Sequence, residues 1–126
     1  MAFKLETDQV SQITTITFSG VIDINQCMDI VTEAYNRQVT YKYICDITRA
    51  EKVELTADQV KQVADYLNLQ REGRRGGKTA IVAGDNVSYG LARMLEMITA
   101  LGDKNHGISM MVFRNLEEAR QWLDQE

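Results

Sequence analysis

The stretch Lys78-Thr-Ala-Ile-Val-Ala83 decides the fold class, because it is a short and almost wholly apolar run. Such a run is typical of a strand that is covered on both faces, as the strands of parallel sheets are. The turn-like segment Gly84-Asp-Asn-Val-Ser88 follows it and leads into a helical pattern. Apolar residues recur there at helical spacing, at Val87, Leu91, Met94, Leu95 and Ile98. A buried strand that feeds a helix indicates an α/β protein.

Segments on both sides repeat this alternation of strand and helix. Strand patterns cover residues 3–7, 13–18, 41–47 and 108–113. Helices are predicted to begin after Asp23, Thr56 and Asn115, each of which has Gln or Glu three residues later, the spacing of a capping box. The order β-β-α-β-α-β-α-β-α predicts a five-stranded, mostly parallel mixed sheet with four helices, its first strand antiparallel to the second.

Length and charge narrow the class of protein. A chain of 126 residues suits one domain, 1–126, and its 14 basic and 18 acidic residues give a formal net charge of -4. Without a dominant basic face it is a poor candidate for binding nucleic acid. Its apolar runs are too short to span a membrane, and its first residues lack a secretory pattern, so we expect a cytoplasmic protein.

The residues that usually carry chemistry are scarce. Cys27, Cys45 and His106 have no short pair spacing, whereas a zinc site needs three or four such ligands, so we predict no metal and no cofactor. The cysteines are expected in the core and His106 in a loop. The basic loop 71–77 follows a helix and opens a strand, the reverse of a phosphate-binding loop. Serine nucleophiles lack a histidine base, so we predict a protein that is not an enzyme.

Polar side chains follow the carboxyl ends of the predicted parallel strands, where ligands meet such sheets. The candidate partner- or ligand-binding residues are Asp46, Thr48, Glu54, Asp58, Asp85, Asn86, Tyr89 and Arg93. Tyr89 and Arg93 lie one helical turn apart, so they either stack as a pair that faces an anion or a partner, or Arg93 bonds to a carboxylate such as Glu96 or Asp46.

Thr56 has two readings. Its hydroxyl caps a helix, a contribution of about 1 kcal/mol, or it is in addition a phosphorylation switch, since the start of a helix favours an anion. Four methionines are likewise either core residues or the lining of an adaptable apolar pocket, namely Met94, Met97, Met110 and Met111.

Three segments resemble STAS domains, the fold of the anti-sigma-factor antagonists. They are Ile16-Thr-Phe-Ser-Gly-Val-Ile-Asp23, Ile44-Cys-Asp-Ile-Thr48 and Glu54-Leu-Thr56. The last falls where those antagonists carry Asp-Ser-Ser, so Thr56 matches their phosphorylation site in type, although Leu55 and Ala57 depart from the family's Ser and Gly. The C-terminal half, from Tyr89 to Leu123, is similar to the short SpoIIAA-like or STAS/SEC14-like bacterial proteins.

The resemblance implies a five-stranded sheet with helices mainly on one side, and a regulatory module that binds a protein partner such as a kinase-like regulator. The alternative, implied by the SEC14-like similarity, is a protein that binds a lipid or another small apolar molecule in a pocket of roughly 300 Å³ or more. A homodimer stays open. The switch hypothesis requires that the hydroxyl of Thr56 be exposed.

Overall fold

A computed structural model of the chain describes residues 3–36, 40–70, 77–101 and 108–125. Within these ranges there are seven strands: β1 Phe3–Asp8, β2 Ile13–Phe18, β3 Gly20–Ile22, β4 Lys42–Asp46, β5 Ala50–Val53, β6 Lys78–Val82 and β7 Ser109–Phe113. The same ranges contain four helices: α1 Ile24–Asn36, α2 Ala57–Gln70, α3 Asn86–Leu101 and α4 Leu116–Asp124.

The main sheet has five strands in the order β1-β2-β4-β6-β7. β1 pairs with β2 antiparallel, and all other neighbours are parallel. The predicted class, the order of the helices and main-sheet strands along the chain, and the strand directions are therefore confirmed. Each parallel connection carries a helix, as crossovers between parallel strands require.

Two short strands, β3 and β5, were not predicted, because the strand patterns of the sequence end at residue 18 before α1 and at residue 47 before α2. The structure corrects this, because β3 and β5 form a separate parallel pair next to the main sheet. Gly20 has a φ of 70°, a left-handed conformation that glycine adopts readily, and this lets the chain leave β2 and enter β3 directly. The strands are too short and β5 is too polar for a periodic signal.

Both faces of the main sheet are covered by helices, and alternate residues of each strand point to opposite faces. Ile44, Ala80 and Val82 form one core with Ala119 and Leu123 of α4. Strand residues that alternate with these, such as Tyr43 and Ile81, point to the other face and pack against α1 and α3. Helix α2 lies between those two helices. Among the described elements, three helices therefore cover one face and α4 covers the other.

Several predicted features lie outside the described residues. They are the fading of α1 near residues 37–38, nearly all of the basic loop 71–77, and the loop that holds His106. Within the described ranges, no helix has the length and hydropathy that crossing a membrane requires.

Candidate functional site

Several candidate residues lie where strands end and helices begin. Asp46 ends β4, Asp85 and Asn86 follow β6, and Thr56 precedes α2 after β5 of the two-stranded sheet. The backbone N–H of Ile47 donates to the carbonyl of Val82 at 2.9 Å, which joins the end of β4 to the end of β6. The Cγ2 atom of Thr48 lies 3.9 Å from the position that a Cβ would take on Gly84. The Asp46–Thr48 group and the start of α3 are therefore neighbours.

Asp46 and Thr48 form a closed local turn. One carboxylate oxygen of Asp46 accepts hydrogen bonds from the backbone N–H of Thr48 at 2.9 Å and from its hydroxyl at 2.6 Å. Such a turn fixes the chain as it leaves β4. Thr48 remains exposed, so this ordered polar turn is accessible to solvent.

Thr56 begins α2 as half of a complete capping box. Its hydroxyl oxygen accepts from the backbone N–H of Gln59 at 3.2 Å, and its own backbone N–H donates to the side-chain carbonyl of Gln59 at 2.9 Å. The residue is exposed. The predicted cap is present, and the hydroxyl has the accessibility that the switch hypothesis requires. Phosphorylation itself stays a prediction.

The acidic residues around Thr56 are also exposed. Glu54 pairs with the ammonium of Lys52 at 2.5 Å, and this bond raises the pKa of Lys52. Asp58 lies in the first turn of α2, where a carboxylate complements the positive end of the helix dipole. The start of α2 therefore presents a hydroxyl between two carboxylates.

α3 begins with a second cap that Asp85 provides. Its carboxylate accepts from both the backbone N–H and the hydroxyl of Ser88, each at 2.8 Å. These bonds, led by the backbone one, lower the pKa of Asp85. Asn86, the first residue of α3, is exposed beside it.

The predicted stacking of Arg93 on Tyr89 is replaced by a different pairing. The guanidinium of Arg93 bonds to the carboxylate of Glu96 at 2.9 Å, which is the alternative considered above. Arg114 instead lies over the ring of Tyr89, its Cζ atom 4.0 Å from the ring centroid, and donates to the carbonyl of Gly84 at 3.2 Å.

Arg114 is thus a site residue that the sequence analysis missed. It comes directly after β7, so the rule that selected the ends of the other parallel strands also applies to it. The guanidinium is held by a ring and a carbonyl, and it places a fixed positive charge at an edge otherwise rich in carboxylates.

The two cysteines face the core on the three-helix side and are free thiols. Burial raises the pKa of Cys27 to about 12, and the carboxylate of Asp23 and the thiol of Cys45 add to the effect. The Cys27 thiol therefore stays protonated near neutral pH and is a poor nucleophile. Among the described residues, no group of three or more potential ligand side chains could hold a metal ion.

An apolar cavity of about 140 Å³ lies between the main sheet and the three helices α1, α2 and α3. Of the four methionines considered as a pocket lining, only Met110 lines it, while Met97 and Met111 are exposed on the surface. The volume of the cavity is about half of the roughly 300 Å³ expected of a pocket that binds a lipid.

Solved structures of other proteins share this fold. A crystal structure from Shewanella loihica PV-4, described as an uncharacterized protein of the DUF3478 family with a SpoIIAA-like fold, has a TM-score of 0.56 at 17% identity, over 97% of this chain and 92% of that one. An anti-sigma factor antagonist from Mycobacterium paratuberculosis has a TM-score of 0.54 at 16% identity, over 98% and 93%. The Bacillus cell fate determinant SpoIIAA in its phosphorylated form has a TM-score of 0.50 at 18% identity, over 96% and 98%.

No family model matches the sequence, and no curated protein matches it. The chain nevertheless has a STAS/SpoIIAA-like fold over nearly its whole length, and the resemblance seen in the sequence is confirmed at the level of the fold.

Proposed function

We propose that this protein is a non-enzymatic regulatory module whose binding to a protein partner is switched by phosphorylation of Thr56. The observation that carries the proposal is that the Thr56 hydroxyl is exposed while it caps α2. The fold adds support, because one structure that shares it is an anti-sigma factor antagonist and another is described in a phosphorylated form.

Electrostatics at the start of α2 give the switch a direction. A phosphate would add close to two negative charges, which the free N–H groups of the first helical turn favour. Glu54 and Asp58 oppose it, and the nearby cation of Lys52 is already paired with Glu54. Phosphorylation therefore makes this surface strongly acidic without unfolding the helix, and we expect a partner that binds the unmodified surface to be released.

The partner surface in this proposal extends from Thr56 along the carboxyl edge. The remaining candidate residues that would contact the partner are Asp46, Thr48, Asp85, Asn86, Tyr89 and Arg93, joined by Arg114. A kinase-like regulator fits the proposal, because it would contact this edge to reach the hydroxyl. The lipid-binding alternative needs a larger pocket than the cavity offers, so it is less favoured.

Two variants at Thr56 separate charge from helix capping. Aspartate and asparagine are equally good N-cap residues and have nearly the same shape, so Thr56→Asp and Thr56→Asn differ mainly by one negative charge. Each immobilised variant is incubated with extract of the source organism, and retained proteins are quantified by mass spectrometry. A partner held by the wild type is expected to persist with Thr56→Asn and to fall at least tenfold with Thr56→Asp.

A matched control places the same charge elsewhere. Ser11 is exposed in the turn between β1 and β2, at the opposite end of the sheet, so Ser11→Asp should retain the partner. Incubation of the wild type with ATP and extract should add one phosphoryl group that is absent from Thr56→Asn. Equal retention of every partner by the two Thr56 variants would refute the switch.

A further inference from the structure

The cavity has a defined place beneath α2. This helix makes its close backbone contacts with α1 and α3, whereas α3 itself approaches β7. α2 thus rests on its neighbouring helices, and the space between it and the sheet is incompletely filled. The helical side chains that line the space from α2 are Val60, Val63 and Leu67.

The side chains that line the cavity are mainly apolar and provide few groups that could form a hydrogen bond with an occupant. Two of its hydroxyl groups are engaged elsewhere, since that of Ser88 bonds to Asp85 at 2.8 Å and that of Tyr43 donates to the carbonyl of Ala34 at 3.5 Å. A buried water needs two to four polar partners, so this space favours an apolar occupant over water.

Sulfur atoms and rings in the lining favour an aromatic occupant in particular. Cys27, Cys45 and Met110 bring sulfur to the cavity. Tyr35 and Tyr43 also line it, with stacked rings whose centroids are 5.9 Å apart. Contacts between sulfur and an aromatic ring, and between two rings, add to the gain from burying apolar surface.

Volume limits the size of the occupant. A cavity of about 140 Å³ is close to the roughly 150 Å³ at which an apolar protein cavity takes up benzene, and it is well below drug-sized or lipid pockets. We infer that this cavity is a binding site for a small aromatic molecule, of the size of benzene or indole.

The occupant would touch the segment that carries the proposed switch. Leu55 lines the cavity and directly precedes Thr56, and Val60 follows one turn into α2. A bound ring is therefore expected to restrain the start of α2. This connection rests on the proposed function, whereas binding to the cavity does not.

Binding is tested with three probes on the whole protein: benzene, indole and decanoate. Benzene and indole at saturation are expected to raise the melting temperature by about 3 °C, because both bind only the folded state. Decanoate should leave it unchanged. In NMR spectra, nuclear Overhauser contacts are expected from benzene protons to the methyl groups of Leu55 and Ile81, two cavity-lining residues.

Two alanines of α3 provide a filled cavity and its control. Ala92 is buried and lines the cavity, so Ala92→Leu should lower the affinity for benzene at least tenfold. Ala100 is exposed on the same helix, so Ala100→Leu should bind benzene as the wild type does. Lack of stabilisation by both aromatic probes, stronger stabilisation by decanoate, or benzene contacts to methyl groups elsewhere would overturn the inference. None of these outcomes bears on partner retention by the Thr56 variants.

Discussion

The two faces of the main sheet are covered by helices in different ways. Against α4, Ile44 and Leu123 are completely buried, each with 0% of its surface exposed. On the opposite face, three helices cover the sheet and still leave a cavity beneath α2. The comparison teaches that α4 packs directly on the sheet and buries Leu123 completely, whereas α2, which contacts mainly α1 and α3, leaves space between itself and the sheet. Stability is therefore expected to reside on the α4 face and adaptability on the three-helix face.

The largest expected effect compares one leucine from each face. Leu123→Ala removes a fully buried side chain from the interface between α4 and the sheet and is expected to cost about 3 kcal/mol of unfolding free energy. Leu67→Ala removes a half-buried leucine that already borders the cavity, and about 1.5 kcal/mol is expected. Urea unfolding measures both. Equal losses would remove the distinction between the faces.

A pair of alanines tests the same comparison by adding volume. Ala119 on α4 is completely buried, so Ala119→Leu should overpack the interface and cost about 2 kcal/mol. Ala92→Leu projects into the cavity and is expected to stabilise the protein by about 1 kcal/mol. Thermal unfolding gives both values. If Ala92→Leu were as destabilising as Ala119→Leu, the cavity would not be usable space.

A smaller effect is expected where α4 ends. The ammonium of Lys78 lies 5.1 Å from the ring centroid of Trp122 and donates to the carbonyls of Trp122 and Gln125. A cation there complements the negative end of the helix dipole. Lys78→Met keeps the apolar stem and is expected to cost about 1 kcal/mol in urea unfolding. Lys61→Met, on the exposed side of α2, should change nothing measurable; a similar loss there would indicate a general charge effect.

The fold was predictable because local signals and the global arrangement agree. The apolar run at 78–83 specified a doubly covered strand, and the capping boxes at Thr56 and Asn115 placed two helix starts where the structure has them. β3 and β5 escaped prediction, because two short strands with few apolar residues are specified by their pairing and not by a period of their own.

The candidate site was predictable in outline and not in its contacts. The ends of parallel strands pointed to Asp46, Thr48 and the start of α3, which are neighbours in the structure, and Thr56 is exposed at the start of α2. The contact between Arg114 and Tyr89 was missed, because Arg114 follows β7 whereas Tyr89 lies in α3, and no sequence spacing relates the two. The cavity was equally hidden, since the apolar stripe of α2 predicts a buried face and says nothing about how well that face is filled.

The outer strands of the sheet differ in a way that bears on self-association. β1 alternates Phe3 and Leu5, packed on the core, with Lys4 and Glu6, an exposed ion pair with 3.7 Å between its charged atoms. Charges on an outer strand discourage edge-to-edge pairing with another molecule. β7, the outer strand on the other side, reads Ser-Met-Met-Val-Phe and carries no charge. If two copies of this sheet joined into one continuous sheet, they would therefore meet at β7. The charges on β1 disfavour pairing at the other edge.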